Sequence, residues 1–190
     1  MGLFDENAFG VLIGYHGLEN DEYTLEPSDF AARFTDFRDT LRRCLQEFPL
    51  APAAQARELG HALYVEFADG DQVEDPIVWV KRARQQLQAR DVESIGVLTH
   101  GGRWLDEQAL ASADGRIGEV TLLAVSLPSE PFRRALHAET ASLADDNSKL
   151  EGWGAGVYVD TEAIEALGRT LKNAPTPLSV AGATFYRISR

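Results

Sequence analysis

"ALYVEFADGDQVEDPIVWVKRARQQLQARDVESIGVLTH", Ala62 to His100, is the stretch that decides the fold class. Leu63, Val65 and Phe67 alternate with Tyr64 and Glu66, the period-two pattern of a strand with one face on a core. Asp75-Pro76 then opens a helix. The aspartate can cap it, and the missing N–H of proline costs nothing in a first turn. "PIVWVKRARQQLQAR" continues with helical spacing, and "SIGVLTH" returns to a strand pattern. Strand, helix and strand in immediate succession predict layers of both kinds in one domain.

Working toward the N-terminus, Phe30, Phe34, Phe37, Leu41, Cys44, Leu45 and Phe48 fall three and four residues apart. They make one apolar stripe on a helix that starts after Pro27, capped by Ser28 or Asp29, and stops at Pro49. "VLIGYH", Val11 to His16, reads as a strand, "GLENDEYTLEP" as an acidic loop, and "PAAQARELGH" as a second short helix. Toward the C-terminus, "GEVTLLAVSL" is a strand and Ser129 a cap for the helix "EPFRRALHAETASL". "GVYV" is a strand, Asp160-Thr161 caps the helix "EAIEALGRTLKN", and "ATFYRIS" closes the chain as a strand.

The expected fold is α+β. A single layered domain over residues 1–190 carries a mixed β-sheet packed by helices, with the N-terminal part more helical. An acidic N-terminal segment, residues 1–29, leads into a layered core, residues 30–190.

Charge narrows the function classes. The chain has 30 acidic and 18 basic residues, a net charge of −12. Its first basic residue is Arg33, preceded by Asp5, Glu6, Glu19, Asp21, Glu22, Glu26 and Asp29. Such a field repels nucleic acid and favours a basic protein partner. No apolar run has the length of a membrane span, the first ten residues lack a positive segment, and the single cysteine excludes an intrachain disulfide. A cytoplasmic location follows as the expectation.

The chemistry-bearing residues are sparse. In "VLTHGGRWL", Gly101-Gly102 suits a two-residue hairpin turn that sets His100 opposite Arg103, a solvated tip able to hold an anion. No G-x-S-x-G elbow is present, and Ser126 lies in "VSLPSEP" between a strand and a helix. Cys44 sits on an apolar stripe, where a thiol behaves as a small hydrophobe. Glu58 and His61 have Glu-x-x-His spacing without the second copy that a di-iron site needs. "DGDQVED" places its glycine second rather than sixth, which breaks the EF-hand pattern. Gly152, Gly154 and Gly156 precede a strand and not a helix, unlike a phosphate loop. No metal and no cofactor is therefore expected.

The first functional expectation is a non-enzymatic acidic module, of inhibitor or immunity type, that docks a basic partner. Glu19, Asp21, Glu22 and Glu26 would supply the charge, with Tyr15 and Tyr23 as aromatic anchors. The alternative is a small hydrolase or transferase using His100, Arg103, Ser126 and Asp160. A further alternative is a structural subunit, since the phenylalanine stripe also suits homo-oligomerisation.

Overall fold

The computed structural model describes residues 8–58, 62–100, 155–171, 177–180 and 183–189. Seven strands form one sheet, and four helices are described with it. In chain order they are β1 (Ala8–Tyr15), α1 (Leu18–Thr24), α2 (Pro27–Glu47), β2 (Gln55–Glu58), β3 (Ala62–Ala68) and α3 (Pro76–Gln88). Then follow β4 (Ser94–His100), β5 (Gly156–Asp160), α4 (Thr161–Ala166), β6 (Leu178–Val180) and β7 (Ala183–Ser189).

The sheet order is β2-β3-β1-β4-β5-β7-β6. Strand β1 runs antiparallel to both β3 and β4, pairing Val11 with Val65 on one side and with Leu98 on the other. Strands β4 and β5 are parallel, with Ile95 opposite Gly156 and Leu98 opposite Val159. The remaining pairs are antiparallel, so the sheet is mixed and the α+β expectation holds.

Alternation along the central strands sorts their side chains by face. Phe9, Val11, Ile13, Leu63, Val65, Phe67, Leu98, Val157 and Val159 join one core cluster with residues of the helices. Helix α2 adds Phe37, Leu41 and Cys44, and α3 adds Ile77, Trp79, Val80, Ala83 and Leu87. Trp79 also donates its indole N–H to the Phe48 carbonyl at 2.6 Å, which ties the start of α3 to the end of α2. On the other face Leu12, Tyr64, Ile95, Val97, Thr99 and Tyr158 are buried as well. A strand buried on both faces is a central one.

Several elements form as the sequence predicts. Asp75 caps α3 by accepting from the Ile77 N–H at 2.8 Å, with Pro76 in the first turn. Asp160 caps α4 by accepting from the Ala163 N–H at 2.7 Å. Strands β3, β4, β5 and β7 occupy the segments read as strands.

Four local readings are corrected. The acidic segment after Gly17 is helix α1, entered through a left-handed Gly17 at φ 76°. Helix α2 begins at Pro27 with Glu26 at its N-cap, two residues ahead of Ser28 and three ahead of Asp29. The stretch read as a second short helix contains strand β2, paired with β3 through Ala56 and Val65. Helix α4 stops by Leu167, because Gly168 turns left-handed at φ 60°.

Candidate functional site

The parallel pair β4–β5 has two ends, and chemistry-bearing side chains gather near both. At the carboxyl end lie His100, the last residue of β4, and Asp160, the last residue of β5. Asp160 is 2% exposed, and both its oxygens are engaged. One accepts from the Ala163 N–H and the other from the His100 backbone N–H at 3.2 Å. It works as a bracket that fastens β4 to the start of α4.

The His100 side chain is only 15% exposed. Its ring packs edge-on against Phe9 at a centroid distance of 4.6 Å, as the antiparallel pairing of Phe9 with His100 requires. Its Nε2 stands 3.7 Å from Asp69 Oδ2, too long for a hydrogen bond but close enough for attraction once the ring is protonated. His100 is therefore a seated ring between two strands and not a solvated tip. The turn expected beyond it, with Arg103, lies outside the described residues, as does Ser126.

Around Tyr15 and Glu58, at the opposite end of β1 and at its neighbours, three ionic groupings form. The Tyr15 hydroxyl donates to Asp21 Oδ2 at 2.7 Å, and Arg33 Nη1 donates to the same oxygen at 3.0 Å. Burial, and then the adjacent Asp21 carboxylate, push the Tyr15 hydroxyl well above its ordinary pKa. Arg42 grips Glu58 through two nitrogens at 2.6 and 2.9 Å, and Arg38 adds a third contact at 2.7 Å. Those hydrogen bonds, from Arg42 first and Arg38 second, hold the Glu58 carboxyl down at about 2. The pair lines a shallow groove with Phe37, Leu41, Ala62 and Leu63. His16 Nε2 lies 4.0 Å from Glu93.

These contacts change the meaning of the acidic surface. Tyr15 is 2% exposed, so it is a core residue and no docking anchor. Asp21 is already neutralised by Arg33 within the chain. Glu22, Tyr23 and Glu26 are exposed, Tyr23 at 75%, while Glu19 lies within α1. Asp69, Asp71, Glu74 and Asp75 do not converge: Glu74 pairs with Arg82, and Asp75 caps α3 and meets Arg169. Among the described residues no three of His, Cys, Asp and Glu gather as metal ligands. His61, the other residue of the Glu-x-x-His spacing set aside above, lies outside them.

No protein-family model and no curated sequence matches the chain. Solved structures do match. The adenylyl cyclase CyaB from P. aeruginosa superposes with a TM-score of 0.52 at 13% identity, covering 95% of this chain and 92% of that one. The guanylate cyclase domain of RhGC from Catenaria anguillulae, solved in complex with GTP, gives 0.55 at 9% identity over 97% and 98%. A dimeric guanylyl cyclase domain of the RhoGC fusion protein from Blastocladiella emersonii gives 0.54 at 8% identity over 100% and 99%. The fold is shared with nucleotide cyclase domains.

The likeness spans nearly all of both chains, so it concerns the whole domain and no single motif. It overturns the expectation of a non-enzymatic inhibitor or immunity-type module. The solved structures named above are cyclase domains, and a basic docking partner gains no support. No described helix is long and apolar enough to cross a membrane. At 8–13% identity the likeness is one of fold, and no spacing pattern in the sequence signalled it.

Proposed function

We propose that the chain is a nucleotide cyclase-type domain whose ligand is a purine nucleoside triphosphate and which works as a homodimer. The observation that carries this reading is the end-to-end match to adenylyl and guanylyl cyclase domains, one of them solved with GTP and one described as dimeric. A nucleoside triphosphate also fits a cytoplasmic setting. His100 and Asp160, at the carboxyl ends of the parallel pair β4–β5, are the described residues offered for the ligand site. Arg103 and Ser126 follow β4 in the chain and remain candidates for the same site.

Phosphoryl transfer ordinarily uses divalent cations held by carboxylates and phosphate oxygens. Among the described residues no three potential ligands converge, so no carboxylate set for a cation is named from them. No catalytic step through a metal is therefore assigned to them. Thermal denaturation with ATP, GTP, CTP and UTP tests the ligand class. Selective stabilisation by a purine triphosphate supports it; no shift, or equal shifts from all four, overturns it. Size-exclusion chromatography with light scattering reads the oligomeric state in the same samples. A monomer with and without nucleotide removes the homodimer from the reading.

A further inference from the structure

Among the described side chains of helix α1, Glu22, Tyr23 and Thr24 are exposed, and Asp21 alone turns inward. Asp21 Oδ2 accepts from the Tyr15 hydroxyl at 2.7 Å and from Arg33 Nη1 at 3.0 Å. Tyr15 closes β1 and Arg33 lies on α2, so a single carboxylate oxygen joins three elements.

The helix itself is weakly built. It is seven residues long, and helices shorter than about 12 residues are marginal in water by themselves. Its N-cap is Gly17, a residue with no side chain to bond the first N–H groups, and its last turn carries no basic residue. Both ends are joints. Gly17 is left-handed at φ 76°, and a Cβ there would meet nothing within 4 Å, so the glycine serves the backbone turn and not packing. Leu25 and Glu26 are extended, and Pro27 then starts α2. Helix α2 holds its own place, with Phe37, Leu41 and Cys44 in the core.

The contact at Asp21 is also one that can part. Burial, and then Asp21, raise the Tyr15 pKa, so the hydroxyl keeps its proton and donates throughout the neutral range. Tyr15 is 2% exposed, whereas the Asp21 and Arg33 side chains are 19% and 30% exposed. Water reaches the ionic half of the contact and can replace its bonds as they separate. We propose that α1 is a strap latched by Asp21, which opens on the Gly17 and Leu25–Glu26 joints while the sheet and α2 stay folded. A segment held by few buried contacts opens at lower cost than the domain unfolds. Opening bares the Tyr15 hydroxyl and Arg33 at the carboxyl end of β1, the end of the sheet opposite His100. Asp21 is a positioning residue here, and the device does not depend on the nucleotide reading.

Native-state hydrogen exchange, read amide by amide by NMR at rising sub-denaturing urea, tests the latch. The Asp21 and Leu25 N–H groups bond to the Gly17 and Asp21 carbonyls and report on α1. In the wild type they exchange at least about ten-fold faster than the amides of Leu41 and Cys44 inside α2, and urea hardly changes their rates, the mark of local opening. Asp21→Asn speeds them roughly a further ten-fold, as loss of charge-assisted bonds requires, and leaves the Leu41 and Cys44 amides within about two-fold. Arg33→Gln, at the more exposed partner, acts in the same direction. Glu22→Gln removes a charge from the same helix and leaves the α1 rates unchanged. The proposal is overturned if the wild-type α1 amides exchange only through the global unfolding seen at Leu41 and Cys44. It is also overturned if α1 rates in folded Asp21→Asn and Arg33→Gln variants match those of the wild type.

Discussion

Replacing Gly96 with alanine probes how closely helix α3 lies on the sheet. An ideal Cβ at position 96 would stand 2.4 Å from Val80 Cγ1. Carbon atoms in contact normally keep about 3.5–4.0 Å, so more than about 1 Å must be recovered by movement. Val80 is fully buried and cannot swing into solvent. Its neighbours Trp79 and Ala83 are buried too, and the Trp79 indole is tied to the Phe48 carbonyl. The strain must then lift α3 from β4, and overpacking of this kind costs about 1–3 kcal/mol. For a domain of this size each kcal/mol lowers Tm by about 2–4 °C. Urea denaturation of Gly96→Ala, Val80→Ala and the double variant measures the effect. The double variant removes the colliding methyl groups, so its loss should fall short of the sum of the single losses by about 1 kcal/mol or more. Gly96→Ala within about 0.5 kcal/mol of wild type, or strict additivity in the cycle, refutes the close contact.

Three further outcomes follow from individual contacts. Asp75→Ala removes the α3 cap and the Arg169 ion pair, and should cost about 1–2 kcal/mol in chemical denaturation. Glu58 carries a carboxyl depressed to about 2 from an ordinary 4.5. Its contribution is present above the unfolded value, and it is lost as the pH falls from about 4.5 toward 2. Because the Glu58 side chain is 38% exposed, solvent screening keeps that contribution below about 1 kcal/mol; Glu58→Gln should flatten the acid limb of a Tm–pH profile. Tyr15 has the opposite sign. With its pKa raised in the folded state, its contribution is complete below 10 and is lost as the pH rises beyond, so Tyr15→Phe should reduce the alkaline sensitivity of Tm.

Much of the fold was legible because period carries it. The stripe from Phe37 through Leu41 to Cys44 and the alternation of Leu63, Val65 and Phe67 both end in the same core. The Asp75 and Asp160 caps were readable for a local reason: a cap bonds to a backbone N–H two or three residues away. What escaped was set by distant partners. Strand β2 is four residues long, lies at the sheet edge, and contains an alanine, two charged residues and a glutamine. Only its pairing with β3 makes it a strand, and intrinsic preference pointed to a helix. Helix α1 has no apolar stripe to announce it, and β6 is a three-residue edge.

The candidate sites were harder for the same reason. His100 looked like a solvated tip because the residues beside its ring, Phe9 of β1 and Asp69 after β3, lie far back along the chain. Tyr15 was offered as a surface anchor although its hydroxyl meets Asp21 in the folded state. The acid excess was correctly counted, yet many of those acids turn out to face arginines of the same chain.

The most direct test of the cyclase-type reading is isothermal titration of GTP and of ATP into the domain at known protomer concentration. Saturable binding of at least one of them is expected, with a fixed stoichiometry per protomer and no comparable binding of CTP or UTP. Failure of both purine triphosphates to bind a folded sample would contradict it, and the cyclase likeness would then describe the shape of this chain and not its ligand.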